Sequence, residues 1–129
     1  MSGVATVLIV EDEFAIADLL EMALADEGHR VLHAANGRQG LERLAEGPRP
    51  DLVISDYMMP VLDGVGMIQA MRETDGHRTI PVIVMSSMPE ANVRARLAGY
   101  AAFVRKPFYL AAMVELVAAV LGAPASSRT

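Results

Sequence analysis

The 129-residue chain has no cysteine and no tryptophan, and only 5% of it is aromatic. The lack of cysteine excludes disulfides and thiolate metal sites and is compatible with a reducing compartment. With so few rings, the core has to come from Val, Ile, Leu, Met and Ala, and 53% of the chain is hydrophobic. Positive charge is scarce too: 11 basic against 16 acidic residues leave a net charge of −5. Nucleic-acid binding leaves a basic stripe. The nearest approach to one is Arg94 with Arg96, which reads better as a solvated helix face, so no direct nucleic-acid partner is expected. No apolar run approaches the roughly 20 residues of a membrane span. The opening stretch MSGVATVLIVEDE has no basic n-region and meets acids at once. It is expected to be a first strand and not a signal peptide, and the expected location is cytoplasmic.

What is present is alternation. The length suits one domain, able to bury roughly two thirds of the unfolded chain's surface. Short β-branched runs at 6–10, 30–34, 51–55, 81–85 and 101–104 alternate with segments of helical period. In the first of these, Ile16, Leu20, Ala23 and Leu24 form a stripe and Gly28 marks a C-cap. In the second, Asn36 caps a helix that ends at Gly47-Pro48. Further helices are predicted over about 65–72, 89–97 and 108–121. Five βα units imply an α/β fold, a doubly wound parallel sheet with helices on both faces. Right-handed crossovers place all strand carboxyl ends on one edge, where ligands bind. The tail 122–129, GAPASSRT, reads as a disordered end or the start of a linker.

That edge gathers chemistry. The first strand runs into Glu11, Asp12 and Glu13, the third into Asp56, and the fourth into Ser86-Ser87. The fifth is followed by Lys106-Pro107. Carboxylates held close repel one another and invite a cation. Hard oxygen ligands suit Mg²⁺, which rarely has an all-protein cage. Each acid taken alone is as readily a helix cap, and Glu13 is read so. For Glu11, Asp12 and Asp56 with Lys106, a site is the better reading. A carboxylate beside a metal and an ammonium can attack phosphorus and become an acyl phosphate, with Ser86 donating a hydrogen bond to the transferred group.

These motifs, Glu11-Asp12, DYMMPVLDG (56–64), PVIVMSS (81–87) and FVRKPF (103–108), resemble the receiver domain of two-component response regulators over residues 5–121. Thirty residues separate Asp56 from Ser86 and fifty separate it from Lys106, as in that family. The resemblance implies a flavodoxin-like (βα)5 sheet in the order 2-1-3-4-5, with the receiver domain over residues 1–121. It implies that Asp56 accepts a phosphoryl group from a histidine kinase or histidine phosphotransfer protein. The chain would then be a signalling phosphoacceptor that catalyses only its own phosphorylation and slow dephosphorylation. It further implies Mg²⁺, with Mn²⁺ able to substitute, held by Asp12, Asp56 and the backbone carbonyl of Met58, with Glu11 acting mostly through water. Ser86 and Lys106 would bind the phosphoryl oxygens. Ser86 and Phe103 would form a switch that alters the face of the fourth helix, fifth strand and fifth helix toward an output partner. Lys106-Pro107 would be a cis peptide, and Pro60 with Asp63-Gly64 would shape the loop into the third helix. The residues two after Asp56 and two after Ser86, which tune hydrolysis in the family, are Met58 and Met88.

The chain departs from the family pattern in places. Glu11 stands where Asp is commoner, Ser87 where Ala is usual, Phe103 where Tyr is commoner, and Ala101-Ala102 where acids often make a dimer contact. Three rival functions compete. A dehalogenase-type phosphatase needs a second Asp at position 58, which is Met. A flavin-mononucleotide binder needs a hydroxyl- and glycine-rich loop where Glu11-Asp12-Glu13 stands. A degenerate receiver, a phosphorylation-independent interaction module, would not need Asp12, Asp56, Ser86 and Lys106 together.

Overall fold

The computed structural model describes residues 5–59 and 62–122. Five strands alternate with five helices: β1 (Thr6–Val10), α1 (Phe14–Asp26), β2 (Arg30–Ala34), α2 (Gly37–Glu46), β3 (Leu52–Asp56), α3 (Gly64–Arg72), β4 (Val82–Ser86), α4 (Glu90–Arg94), β5 (Ala102–Arg105) and α5 (Leu110–Val120). All neighbouring strands are parallel, in the order β2-β1-β3-β4-β5. Both the alternation and the strand order match the sequence-based expectation.

Every residue of β3 and β4 is buried, which only helices on both faces can achieve. Neighbouring side chains feed opposite layers. Leu8, Val10, Val53, Val82 and Val84 pack with Leu44, Met67, Met71 and Val93 beneath α2, α3 and α4. Val7, Ile9, Leu52, Ile54, Ile83 and Met85 pack with Leu20, Leu24, Met113 and Val117 beneath α1 and α5. The continuous apolar strands thus still obey the period-two rule of a pleated sheet.

Local signals set the helix ends. Gly28 takes φ +92°. Its N–H reaches the Ala25 carbonyl at 2.9 Å, and that of His29 reaches Leu24 at 3.1 Å. This is a left-handed C-terminal motif that a residue with a Cβ would strain. The Asn36 side chain accepts the Gln39 N–H at 2.8 Å, and the Gln39 side chain accepts that of Ala35 at 2.7 Å. The cap thus satisfies the Gln39 N–H at the start of α2, and the Gly37 N–H reaches the Leu62 carbonyl at 2.8 Å.

The differences from expectation are local. β3, β4 and β5 each begin one residue later than predicted, so Asp56 and Ser86 are the last residues within their strands. Pro81 has no N–H to give the ladder and precedes the strand, its carbonyl accepting the Val53 N–H at 3.0 Å. α4 stops at Arg94 instead of about Leu97, because the next N–H groups tighten: Arg96 and Leu97 both donate to the Val93 carbonyl. α5 begins at Leu110 and not Phe108, because its N-cap Tyr109 is extended, with ψ 138°. A 3₁₀ turn at Asp75–His77 was not anticipated. Pro60 and residues 123–129 lie outside the described residues.

Asp63 caps α3, accepting the Gly66 N–H at 3.0 Å, and Gly64 donates to the Tyr57 carbonyl at 3.0 Å. A Cβ on Gly64 would sit 2.5 Å from the Asp56 carbonyl oxygen. The Asp-Gly pair is therefore needed for close approach of the loop to the end of β3. Gly64→Ala should cost ~1–3 kcal/mol by overpacking against backbone. Gly76, where a Cβ meets nothing within 4 Å, should tolerate alanine within about 0.5 kcal/mol. Urea unfolding of both variants checks this, and equal midpoints would remove the close-approach argument.

Candidate functional site

The carboxyl ends of β1, β3 and β4 and the segment after β5 bring together the residues singled out in the sequence. One oxygen each from Glu11, Asp12 and Asp56 lies within 4.8 Å of the others, the one such acidic group among the described residues. The Lys106 ammonium donates to Glu11 Oε1 at 2.9 Å and to Asp56 Oδ2 at 3.1 Å. These ion pairs join residues 95 and 50 positions apart in the chain. Glu11 is fully buried and Asp56 nearly so. A pocket of about 280 Å³ is lined by Asp12, Glu13, Asp56, Met58, Ser86, Ser87, Met88 and Lys106.

Each group is held by its own chain segment. The second oxygen of Glu11 accepts the Glu13 N–H at 3.0 Å, so both ends of that carboxylate are engaged. The Ser86 hydroxyl oxygen accepts the Met88 N–H at 2.9 Å, which leaves its proton to donate elsewhere. Lys106 follows β5 with its N–H on the Ser86 carbonyl at 2.8 Å, and the Lys106-Pro107 peptide is cis, as expected. Phe103 is half-buried and packs against the layer that includes Tyr57, Val93 and Leu97.

Four participants were not read from the sequence. Glu13 stands at the N-cap of α1, but its side chain caps nothing. Its carboxylate instead lies 3.8 Å from the Lys106 ammonium. Its place in the acidic triplet was the signal that could have revealed this. Ser55, fully buried, donates to the Asp56 carbonyl at 2.9 Å. The Arg105 Nε donates to the Ser87 carbonyl at 2.9 Å and fastens the loop after β4. His33 Nε2 lies 3.0 Å from the Glu11 carbonyl oxygen, and this geometry requires the tautomer that donates from Nε2. The Ser55 contact is with its own chain neighbour, whereas for Arg105 and His33 no local pattern marks the role, since each depends on strand register.

The electrostatics are those of acids that are crowded and dry. Burial pushes Asp56 above the ordinary 3.8, against the Lys106 charge, and Asp12 adds repulsion. Burial likewise raises Glu11 above 4.5, opposed by Lys106 and the Glu13 N–H. Burial alone would lower Lys106, but the Glu11 hydrogen bond and the Asp56 charge outweigh it and hold the ammonium above 10.5. A cluster that disfavours its own charges, in a pocket with hard oxygen donors, suits a small divalent cation.

The sequence matches the response regulator receiver domain family model over residues 7–118. The chain belongs to that family. It is 37% identical over 127 residues to the transcriptional regulatory protein PrrA of Mycobacterium bovis, covering 95% of this chain and 52% of that one. It spans about half the length of the curated relatives it matches. The receiver domain of a signal transduction histidine kinase from Syntrophus aciditrophicus superposes with a TM-score of 0.82 at 34% identity, covering 92% of this chain and 90% of that one. The receiver domain of a sensor histidine kinase from Pseudomonas aeruginosa, with a magnesium ion coordinated in its active-site cleft, gives a TM-score of 0.84 at 26% identity. It covers 92% of this chain and 98% of that one. Among the described residues, no helix is long and apolar enough to cross a membrane.

Two measurements follow from the crowding. Asp56 holds its proton more tightly folded than unfolded. Its contribution to stability is therefore fully present below about pH 3.8 and lost as the pH rises through the higher folded value. Without divalent cations, the melting temperature of Asp56→Asn relative to wild type should rise between about pH 4 and pH 7, by about 3–6 °C if roughly 1 kcal/mol is recovered. A flat difference would contradict the burial argument. At neutral pH, Mg²⁺ at a hundredfold excess over its dissociation constant should stabilise the wild type by ~2.7 kcal/mol. Most of that gain should vanish in Asp12→Ala, and equal Mg²⁺ responses would remove the metal assignment.

Proposed function

We propose that this receiver domain is phosphorylated on Asp56 by a histidine kinase or histidine phosphotransfer protein. The observation that carries this reading is the Lys106 ammonium bridging Asp56 and Glu11 at the pocket that Ser86 also lines. An Asp56 carboxylate oxygen attacks phosphorus. The new O–P bond forms as the bond from phosphorus to the donor's imidazole nitrogen breaks, and the electron pair returns to the imidazole. Lys106 redirects a hydrogen bond to a phosphoryl oxygen, and the Ser86 hydroxyl donates its free proton to another. Asp12, Asp56 and the main-chain carbonyl of Met58 would hold Mg²⁺, or Mn²⁺ in its place. Glu11, with both oxygens already engaged, would reach the ion through water. When bound, the ion neutralises charge on the phosphoryl oxygens.

The donor has a place to dock. An apolar groove of about 390 Å³ between α1 and α5 is lined by Ile16, Leu19, Leu20, Phe108 and Leu110. It shares Glu13, Ser87 and Lys106 with the acidic pocket. That continuity fits the apolar side of a donor helix that presents its histidine to Asp56. Leu19, 50% exposed, leaves part of that lining open to a partner. The face of α4, β5 and α5 carries the output. Phosphate draws Ser86 inward, and Phe103 turns into the space released. On α5 itself the exposed residues Ala111, Ala112, Glu115 and Ala119 are small or charged, so output recognition rests mainly on α4 and β5.

Lifetime belongs to Met58 and Met88, which line the pocket together with Asp56. Hydrolysis needs a water lined up behind phosphorus, and a thioether accepts hydrogen bonds weakly and donates none. The phosphorylated form is therefore long-lived.

Incubation with a small radiolabelled acyl phosphate and Mg²⁺ should label the wild type and leave Asp56→Asn unlabelled. A wild type that takes up no label is a degenerate receiver. Hydrogen exchange in residues 86–109 should change on phosphorylation, and a response confined to residues 56–59 would remove the output face. Replacing Met58 with Asn and Met88 with Gln together should speed decay about tenfold if the barrier falls by ~1.4 kcal/mol. Unchanged decay would assign the timing to a partner phosphatase or the kinase.

A further inference from the structure

Exposure divides the described methionines sharply. Met67, Met71, Met85 and Met113 are at most 1% exposed, and Met59 and Met88 are partly buried. Only Met22 and Met58 are open, at 61% and 59%. Their surroundings differ. Met22 lies within α1, outside the acidic pocket, whereas Met58 lines that pocket with Asp56 and Lys106. An oxidant that discriminates by access will reach both, and only one of them touches the chemistry.

We infer that Met58 is an oxidative modification site through which peroxide shortens the lifetime of the phosphorylated protein. The thioether sulfur attacks one oxygen of hydrogen peroxide. A sulfur–oxygen bond forms and the oxygen–oxygen bond breaks. Sulfur gives up two electrons, the proton on the transferred oxygen passes to the second oxygen, and that oxygen leaves as water. The product replaces a weak acceptor with a strongly polar sulfoxide. At the mouth of the pocket that oxygen holds a water beside Asp56, which the thioether does not. The inference rests on Asp56 being the phosphoacceptor. It adds that a redox signal acts on the same pocket, reversibly, because methionine sulfoxide is a substrate for sulfoxide reductases.

The test uses the full chain as wild type, Met58→Leu and Met22→Leu. Each is treated with hydrogen peroxide, freed of oxidant, mapped by peptide mass spectrometry and labelled with radioactive acyl phosphate. Decay is then followed at fixed Mg²⁺, and each protein is compared with its own unoxidised form. Oxidation is expected at both Met22 and Met58 of the wild type. Decay should become roughly threefold faster or more in the wild type and Met22→Leu, a change in barrier of about 0.65 kcal/mol. It should not change in Met58→Leu, and reductase treatment should restore the original rate. Met58 surviving as thioether while Met22 is oxidised overturns the proposal. So does unchanged decay, or an acceleration that persists in Met58→Leu. Failure of the unoxidised wild type to take up label overturns the phosphoacceptor reading and this proposal with it. Label uptake followed by unchanged decay overturns this proposal alone.

Discussion

One ammonium group decides how the acidic edge is organised. Lys106 follows β5, one of the two edge strands, yet its nitrogen touches carboxylates at the ends of β3 and β1, two and three strands away. To get there its side chain passes the end of β4, where Ser86 sits. Without that cation, Glu11 and Asp56 would face each other across a dry interior. There, two unit charges about 4 Å apart repel by roughly 4 kcal/mol even at an effective dielectric constant of 20. With it, the charges are compensated but not comfortable. Both acids still hold their protons more tightly than free carboxylates do, because burial costs more than the ammonium returns. A buried ion pair of this kind is poor support for stability. It is a good means of keeping a carboxylate available, since its partner can release it when another anion arrives.

The sheet carries that tension to two different layers. Asp56 is followed by Tyr57, which is buried with Val93 and Leu97 beneath the α4 region, and Arg96 lies 5.8 Å from the centre of its ring. Phe103 and Met88 pack against the same layer. The α4 region is lightly held. The helix is five residues long, its N-cap has no side-chain hydrogen bond, and Val93 is its one buried residue. Tyr100 and Arg94 both bind the half-buried Glu90 carboxylate, and ion pairs this near the surface contribute little. A short segment with few buried anchors belongs to the low-stability end of a fold, from which moving parts are drawn.

Much of this was legible because the informative features are periodic or punctual. Uninterrupted apolar runs announced strands covered on both faces, and Asn36 and Gly28 ended up where capping chemistry puts them. Strand-end residues could be assigned to one edge from handedness alone, so Glu11, Asp12, Asp56, Ser86 and Lys106 converged on paper before they did in space. What stayed hidden depends on distances that no local pattern encodes. Acids favour N-cap positions, so the sequence marks Glu13 as a cap, but the fold offers its carboxylate an ammonium instead. The contacts of His33 and Arg105 with backbone carbonyls follow from register, which sequence spacing fixes only to within a residue. The early end of α4 reflects a tightening of its last turn over an apolar stripe that continues to Leu97, and hydrophobic period cannot see that.

The arrangement also separates arrival from response. The apolar groove proposed for the donor lies over the α1 and α5 layer, whereas Tyr57, Phe103 and the residues beneath α4 belong to the opposite layer. Asp56, at the end of a strand buried on both faces, is one of the few places from which both layers can be addressed. A donor seated on α1 and α5 leaves α4 uncovered. On that proposal α5 belongs to both the docking side and the output face, and the α4 and β5 part of the output face would stay open while a phosphoryl group is received. Lys106 lies at the corner between the two, lining the groove and the pocket alike. The residue that compensates the acids is thus also the one the proposed donor would meet on its way to Asp56, so docking and charge release would act on the same side chain.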